Sequence, residues 1–267
     1  MSRKNRLDLH MFQKGLVSSR QKAQQLIRAG KVRESNGQLL DKPGQEVRDD
    51  IELLIKESPR FVSRGGQKLL GAIEAFKVQV QGRVCLDAGI STGGFTDCLL
   101  QYGAERVYGI DVGYGQTAWK IRTDPRVVLR ERTNLRTLNP DDLFSFEDPF
   151  PSLAVADLSF ISLKLVLAPL KDLLEPLSPE AILLVKPQFE VGRERVGKGG
   201  VVRNPDAHLA ALKGVLASAK DLGWFPQGII ESPITGPAGN HEYLLWLGID
   251  KFKDFPDIED LVSKTLL

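Results

Sequence analysis

The sequence predicts an α/β protein: a doubly wound, mostly parallel seven-stranded sheet of Rossmann-like type, preceded by a small N-terminal α+β unit. Three observations carry this. From residue 82 onward, short apolar runs alternate with helical patterns, as in a doubly wound parallel sheet. A Gly-rich turn, Asp87-Ala-Gly-Ile-Ser-Thr-Gly-Gly94, joins the first such run to the first helix of this region. The first 33 residues hold nine Lys or Arg (Arg3, Lys4, Arg6, Lys14, Arg20, Lys22, Arg28, Lys31, Arg33) against one acid, Asp8, whereas the net charge of all 267 residues is only +2.

In the basic segment Leu7, Leu9, Met11 and Phe12 begin an apolar face. Ser18-Ser19 reads as the N-cap of a helix through Ala29, in which Ala23, Leu26 and Ile27 recur at helical spacing. Gly30 ends that helix as a C-terminal glycine does. Short strands follow at residues 31–34, 38–40 and 51–55, around a Ser35-Asn36-Gly37 turn and a Pro43-Gly44 turn. Pro59 disfavours helix at the residue before it. The expected division is therefore a small unit at 1–58, a linker at 59–64, the sheet domain at 65–250 and a tail at 251–267.

Gln67 to Phe76 forms a helix with Leu69, Leu70, Ile73 and Phe76 on one side. Strands follow at residues 84–87, 106–111, 127–129, 153–156 and 181–185, with helices at 94–102, 163–174 and 207–222. Residues 187–204 form a long loop rich in Gly and Arg, either a solvated loop or a lid ordered by a ligand. Strands near 225–231 and 242–248 finish the domain as an antiparallel hairpin at the sheet edge.

Hydrophobic content is 42% and charged content 26%, ordinary for a globular protein. No apolar run approaches the roughly 18–20 residues that span a bilayer. MSRKNRLDLHMF is basic with no apolar stretch behind it, which excludes a signal peptide. Cys85 and Cys98, the only cysteines, fall in core elements and fit a reducing compartment. A cytoplasmic protein without stable membrane association is expected. Three histidines and no cysteine cluster argue against a metal site. Nothing indicates an oligomer.

The glycines of the 87–94 turn let backbone approach a ligand, and the helix N-terminus behind them favours a negative group. The second strand ends at Asp111, where a carboxylate can bind both hydroxyls of a ribose. The turn lacks the G-x-G-x-x-G spacing of nicotinamide sites, and no Walker lysine follows it. S-adenosyl-L-methionine, with a carboxylate and no pyrophosphate, suits it better. Lys68, Asp157, Lys186 and Glu242 each fall at the end of a strand or the start of a helix or strand. Ligands bind outside the carboxyl ends of such strands. Two lysines and two carboxylates converging there point to group transfer onto a poorly acidic hydroxyl.

Two resemblances add to this. RLD…GLVSSRQKAQQLIRAGKV…NG…LDKPGQEV, residues 6–55, resembles the small RNA-binding domain of ribosomal protein S-four. That resemblance implies RNA contacts by Arg6, Arg20, Lys22, Arg28 and Lys31. Residues 61–249 resemble the FtsJ-like ribose methyltransferases through Lys68 in SRGGQK, Asp157 in VADLSF, Lys186 in LLVKPQFE and Glu242 in GNHEYLL. Together the two parts are similar to the TlyA family, which implies an AdoMet-dependent 2′-O-methyltransferase acting on cytidine in ribosomal RNA or ribosomal subunits. Members are often labelled hemolysins.

In this reading Lys186 accepts or orients the hydroxyl proton, Asp157 and Glu242 hold the lysines, and Lys68 stabilises developing oxyanion charge. Asp87, Gly89, Ser91 and Gly93 would line the methionine end, Asp111 the ribose and Asn134 the adenine, with Thr92 and Gly94 also binding cofactor. Two other readings stay open at this point. One is a non-catalytic RNA-binding or ribosome-assembly factor; the other, favoured by no feature beyond the label, is a membrane-lytic protein.

Overall fold

The computed structural model describes residues 4–56, 59–250 and 255–266. Arg3 of the basic segment, residues 57–58 at the end of the expected small unit, and residues 251–254 and 267 of the expected tail lie outside the described residues. The chain divides into two compact units, Met1–Pro59 and Arg60–Leu267.

In the first unit, β1 (Lys4–Arg6) runs into α1 (Leu7–Gln13), followed by α2 (Arg20–Arg28), β2 (Val32–Glu34), β3 (Glu46–Arg48) and β4 (Leu53–Ile55). Ser19 caps α2: its side chain accepts from Lys22 N at 3.1 Å, which satisfies a donor that the first helical turn leaves orphaned. Leu7, Met11, Ala23, Ile27, Val32, Leu40 and Val47 form the core. β1 pairs antiparallel with β3, and β2 with β4. The β1–β3 ladder was not foreseen. Lys-Asn-Arg and Glu-Val-Arg are too short and polar to show alternation.

The second unit opens with α3 (Gly65–Phe76). It then alternates through β5 (Val84–Ala88), α4 (Gly94–Gln101), β6 (Arg106–Ile110), α5 (Trp119–Arg122), β7 (Val127–Arg130), α6 (Pro140–Leu143) and β8 (Leu153–Ala156). α7 (Leu167–Asp172), β9 (Glu180–Val185), α8 (Pro187–Glu190), α9 (Pro205–Asp221), β10 (Phe225–Glu231), β11 (Tyr243–Gly248) and α10 (Ile258–Thr265) complete it. The sheet has the order β10-β11-β9-β8-β5-β6-β7. β5 to β9 are parallel; β11 runs antiparallel to both β9 and β10. The mixed α/β class with a mostly parallel seven-stranded sheet is as expected. Alternate residues of each central strand enter opposite layers. Leu86, Ala154 and Leu183 face one core with Leu167 and Leu212. Cys85, Leu153 and Ile182 face the other with Leu69 and Leu99. No helix among the described residues is long and apolar enough to cross a membrane.

Four local features depart from the expected outline. The strand expected over 38–40 is only an isolated bridge, Leu39 to Arg33. The helix expected over 163–174 breaks into a 3-10 turn, Leu163–Leu165, and α7. Pro169 has no N–H to offer the preceding turn, so it is tolerated only in the first turn of a new helix. The loop at 187–204 is not irregular throughout, because it holds α8 and two further 3-10 turns. The segment from Arg60 on packs with the sheet unit: Phe61 is 4% exposed in the α3–α4 core, and Val62 N donates to Asp97 Oδ2 at 2.9 Å. A Cβ on Gly66 would lie 2.3 Å from the Phe61 ring, so glycine is what lets the ring seat there.

Phe61→Ala is expected to destabilise the second unit by about 3–5 kcal/mol, the usual cost of emptying a buried aromatic site. The exposed control Leu177→Ala should stay within about 0.5 kcal/mol. Urea denaturation checks both.

Candidate active site

The order of the parallel strands reverses at β5, which has β6 on one side and β8 on the other. The crevice beyond the carboxyl ends of β5 and β8 is where an open sheet of this kind binds ligands. The turn after β5 supplies its floor. Gly89 and Gly93 have φ of 84° and 95°, and Ser91, without a glycine's freedom, is held at φ 47°. Such a conformation costs about 1–3 kcal/mol and persists where surroundings enforce it. Here Ser91 N donates to Asp111 Oδ2 at 2.7 Å, and Thr117 Oγ1 donates to Ser91 O at 3.1 Å. A Cβ on Gly89 would lie 2.9 Å from Asp157 O, and one on Gly94 would lie 2.1 Å from Ser63 Oγ. Both glycines are therefore required by neighbouring chain at the mouth.

Four charged side chains meet above this floor as two pairs. Lys68, in the first turns of α3, donates to Glu242 Oε2 at 2.5 Å. Their side chains are 8% and 1% exposed. Lys186, directly after β9, contacts Asp157 Oδ1 at 2.6 Å, directly after β8. It also donates to Ser159 Oγ at 3.0 Å. All four line one cavity of about 550 Å³, together with Ser63, Arg64 and, from the turn after β5, residues 89–92, 94 and 95. Glu242 fits there because Gly236 carries no side chain; a Cβ on Gly236 would lie 2.6 Å from its Oε1.

A second cavity of about 510 Å³ adjoins it and shares Gly89, Ser91, Asp157 and Ser159. Asp111, Gln116, Thr133 and Asn134 supply its polar lining, and Ile110, Leu135, Leu158 and Val166 its apolar lining. The size and mixture suit a nucleoside-sized ligand. Asp111 accepts Ser91 N and Gly113 N, each at 2.7 Å, which aims the carboxylate across the mouth of β6. Asn134 Oδ1 accepts Arg136 N at 3.1 Å.

The predicted cofactor residues thus divide. Gly89 and Ser91 line both cavities, Thr92 and Gly94 the charged one, and Asp111 and Asn134 the nucleoside-sized one. Asp87 and Gly93, expected at the methionine end, line neither. Gly93 is covered by Ile121. Asp87 is fully buried under the turn, where Thr96 Oγ1 donates to its Oδ2 at 2.6 Å. Its Oδ1 has no partner among the described residues. Burial pushes its carboxyl up to about 7.

Sequence reasoning missed two residues that hold this site. Ser159 follows Asp157 in the quoted VADLSF but has no chemical signature of its own. Asn240 is buried and spans the loop at 200–202: its Oδ1 accepts Val202 N and its Nδ2 donates to Gly200 O, each at 2.9 Å. It lies two residues before Glu242, so it ties the basic loop to the turn that carries this carboxylate. Arg193, Arg195, Lys198 and Arg203 of that loop are exposed. In the first unit Arg6, Arg20, Lys22 and Arg28 are exposed and Lys31 is half-buried.

A raised Asp87 pKa means the folded state keeps a proton that the unfolded chain releases near 4. The stability linked to Asp87 is therefore full below about pH 4 and declines as pH rises toward 7. Asp87→Asn should abolish this decline, so its stability relative to wild type should rise between pH 4 and pH 8. Denaturant midpoints measured across that range test it; a constant difference would contradict it.

Comparison with known proteins places these features. The FtsJ-like methyltransferase model matches residues 61–249, and the S4 domain model matches residues 5–50. A Bacillus subtilis protein provisionally named an rRNA methyltransferase, YqxC, is 49% identical over 92% of this chain and 86% of its own. The 16S/23S rRNA (cytidine-2'-O)-methyltransferase TlyA of Mycobacterium tuberculosis is 47% identical over 100% of this chain and 98% of its own. A solved Streptococcus thermophilus structure, provisionally titled a hemolysin, is 41% identical, covers 99% of this chain and 96% of its own, and superposes with a TM-score of 0.71. With both domain models in order and a curated relative matched end to end, the chain belongs to the TlyA family of FtsJ-like methyltransferases and carries an N-terminal S4 domain.

Proposed function

We propose that the protein transfers a methyl group from S-adenosylmethionine to the ribose 2′-hydroxyl of a cytidine in ribosomal RNA. The observation that carries this is the junction of the two cavities. Both lysine–carboxylate pairs open onto a space continuous with a nucleoside-sized pocket through Gly89, Ser91, Asp157 and Ser159. The cytidine and the ribosomal RNA come from the activity for which the M. tuberculosis relative is named.

The pocket suits this cofactor. Asp111 retains lone pairs beyond those used by its two amide donors and can accept both ribose hydroxyls. Asn134, with Oδ1 engaged by Arg136 N, presents its amide N–H groups to an adenine ring. Bound there, S-adenosylmethionine would supply a methyl group activated by its sulfonium for transfer to the ribose oxygen.

The protein supplies position and proton handling. Lys186 orients the hydroxyl or takes its proton, with Asp157 and Ser159 fixing its amine at the mouth of β8. Lys68 places positive charge toward the oxygen as its negative charge grows, and Glu242 holds it there. Ser63 and Arg64 wall the charged cavity and leave room for a ribose between the pairs. In the S4 domain, Arg6, Arg20, Lys22, Arg28 and Lys31 hold RNA phosphates, the part of affinity that salt weakens and sequence does not alter.

The test is methyl transfer from labelled S-adenosylmethionine to ribosomal subunits lacking the modification. Lys186→Ala is expected to lower the transfer rate about 10²–10⁴-fold, the usual contribution of a positioned proton acceptor, with cofactor affinity kept. Asp111→Ala is expected to weaken cofactor binding about 10–100-fold through loss of charge-assisted hydrogen bonds. Label outside ribose 2′-O-methyl groups, or transfer by Lys186→Ala at the wild-type rate, would refute the proposal.

A further inference from the structure

We propose that Asp8 is a positioning residue for RNA: one buried carboxylate holds Arg6 and Arg20 as a preset pair that grips phosphate oxygens of ribosomal RNA. This rests on the RNA-binding reading above and names the device within the S4 domain that performs it.

Asp8 lies in the first turn of α1, and its side chain is 0% exposed. A carboxylate so placed requires partners, and three side chains give it four hydrogen bonds. Arg6 Nε donates to Oδ1 and Arg6 Nη2 to Oδ2, each at 3.1 Å, in a two-pronged contact. Arg20 Nη2 donates to the same Oδ2 at 3.1 Å, and Gln24 Nε2 to it at 2.7 Å. The Arg6 guanidinium, as the largest influence, holds the Asp8 carboxyl well below the usual carboxylate range. The acid therefore stays ionised at any physiological pH.

The arginines are not consumed by this contact. Their side chains remain 53% and 48% exposed while the acid beneath them is buried. A guanidinium carries five N–H donors in a rigid fork. Arg6 spends two on Asp8 and Arg20 one, which leaves donors for a ligand. The group as a whole keeps one net positive charge at a solvent-facing site. Backbone geometry fixes it further. Leu7 N donates to Gln45 O at 2.9 Å and Asp8 N to Pro43 O at 3.0 Å. Gln24 and Arg28 follow Arg20 at helical spacing on α2, extending the same face.

A long cationic side chain loses rotamer freedom when it binds, and fixing it beforehand removes that cost from binding. Arginine in a planar, bidentate contact loses the least per hydrogen bond. Asp8 therefore has opposite effects in two descriptions. As a bare charge it repels RNA, and removing it would tighten binding. As a positioning residue it improves binding, and removing it weakens binding.

The experiment measures binding of the full-length protein to purified ribosomal RNA from 50 to 200 mM KCl, for wild type, Asp8→Asn and Arg6→Lys. Asp8→Asn nearly preserves shape. Arg6→Lys preserves charge but removes the fork, and so serves if Asp8→Asn fails to fold. Both variants are expected to weaken binding at least fivefold at 100 mM KCl. The slope of log affinity against log salt should become shallower by about 1–2, as for one or two lost phosphate contacts. In the Asp8→Asn background, Arg20→Ala should cost less than it does in wild type. Equal or tighter binding by Asp8→Asn and unchanged binding by Arg6→Lys would overturn the inference while leaving the RNA-binding reading intact. A wild-type protein that does not bind ribosomal RNA would overturn that reading and the inference with it.

Discussion

The Lys68–Glu242 pair is the constraint around which the second unit is built. The two residues lie 174 positions apart, yet their side chains are almost wholly removed from water. Burying an ion pair rarely stabilises a fold, because desolvating both charges costs about as much as their attraction returns. Breaking it by removing one partner is far worse. A chain that keeps such a pair must therefore place α3, β11 and the turn before β11 accurately against one another. Glycines at the close approaches make this possible. Gly71 of α3 faces Pro233, Gly228 of β10 faces the Phe76 ring, and Gly236 leaves room for the Glu242 carboxylate.

The second pair depends on the sheet in a different way. Asp157 and Lys186 leave adjacent parallel strands, β8 and β9, at the same end. Their meeting needs only correct register, with β9 running two residues past the end of β8. The first pair closes the crevice from the side of α3, and the second floors it beside the 87–94 turn. That turn is held by Asp111 through Ser91 N, so the group proposed for the ribose also supports the strained backbone beneath it. Removing the Asp111 carboxylate would disturb both functions together.

Much of this was legible in the sequence because it is local. The five parallel strands are apolar runs bounded by turns, and the charged residues stand at their ends. The S4 unit has a capped helix, a terminating glycine and turn signals within 55 residues. What escaped notice depends on distant contacts. β1 and β3 pair across about 40 residues with no apolar pattern to announce it. Phe61 lies in a stretch whose Pro, Arg and Ser suggest a linker, and only its close packing on Gly66 shows where the ring goes. Asp87 carries the same letter whether it faces a ligand or lies beneath the turn; Thr96, nine residues on, takes its Oδ2 and holds it below. Asn240 and Ser159 lie within the quoted stretches but carry no chemical signature of their own, and their importance lies in which backbone or amine they reach.

The central claim is that Lys68, Glu242, Lys186 and Asp157 form one catalytic unit and not two independent aids. The most direct test is a double-mutant cycle on the single-turnover rate of methyl transfer, using Lys68→Met, Lys186→Met and the double variant at saturating cofactor. Groups that act as a unit lose function together, so the double variant should be no more than a few-fold slower than the slower single variant. If the two losses instead multiply, as they do for independent sites, the lysines contribute separately and the single-unit description of the site is wrong.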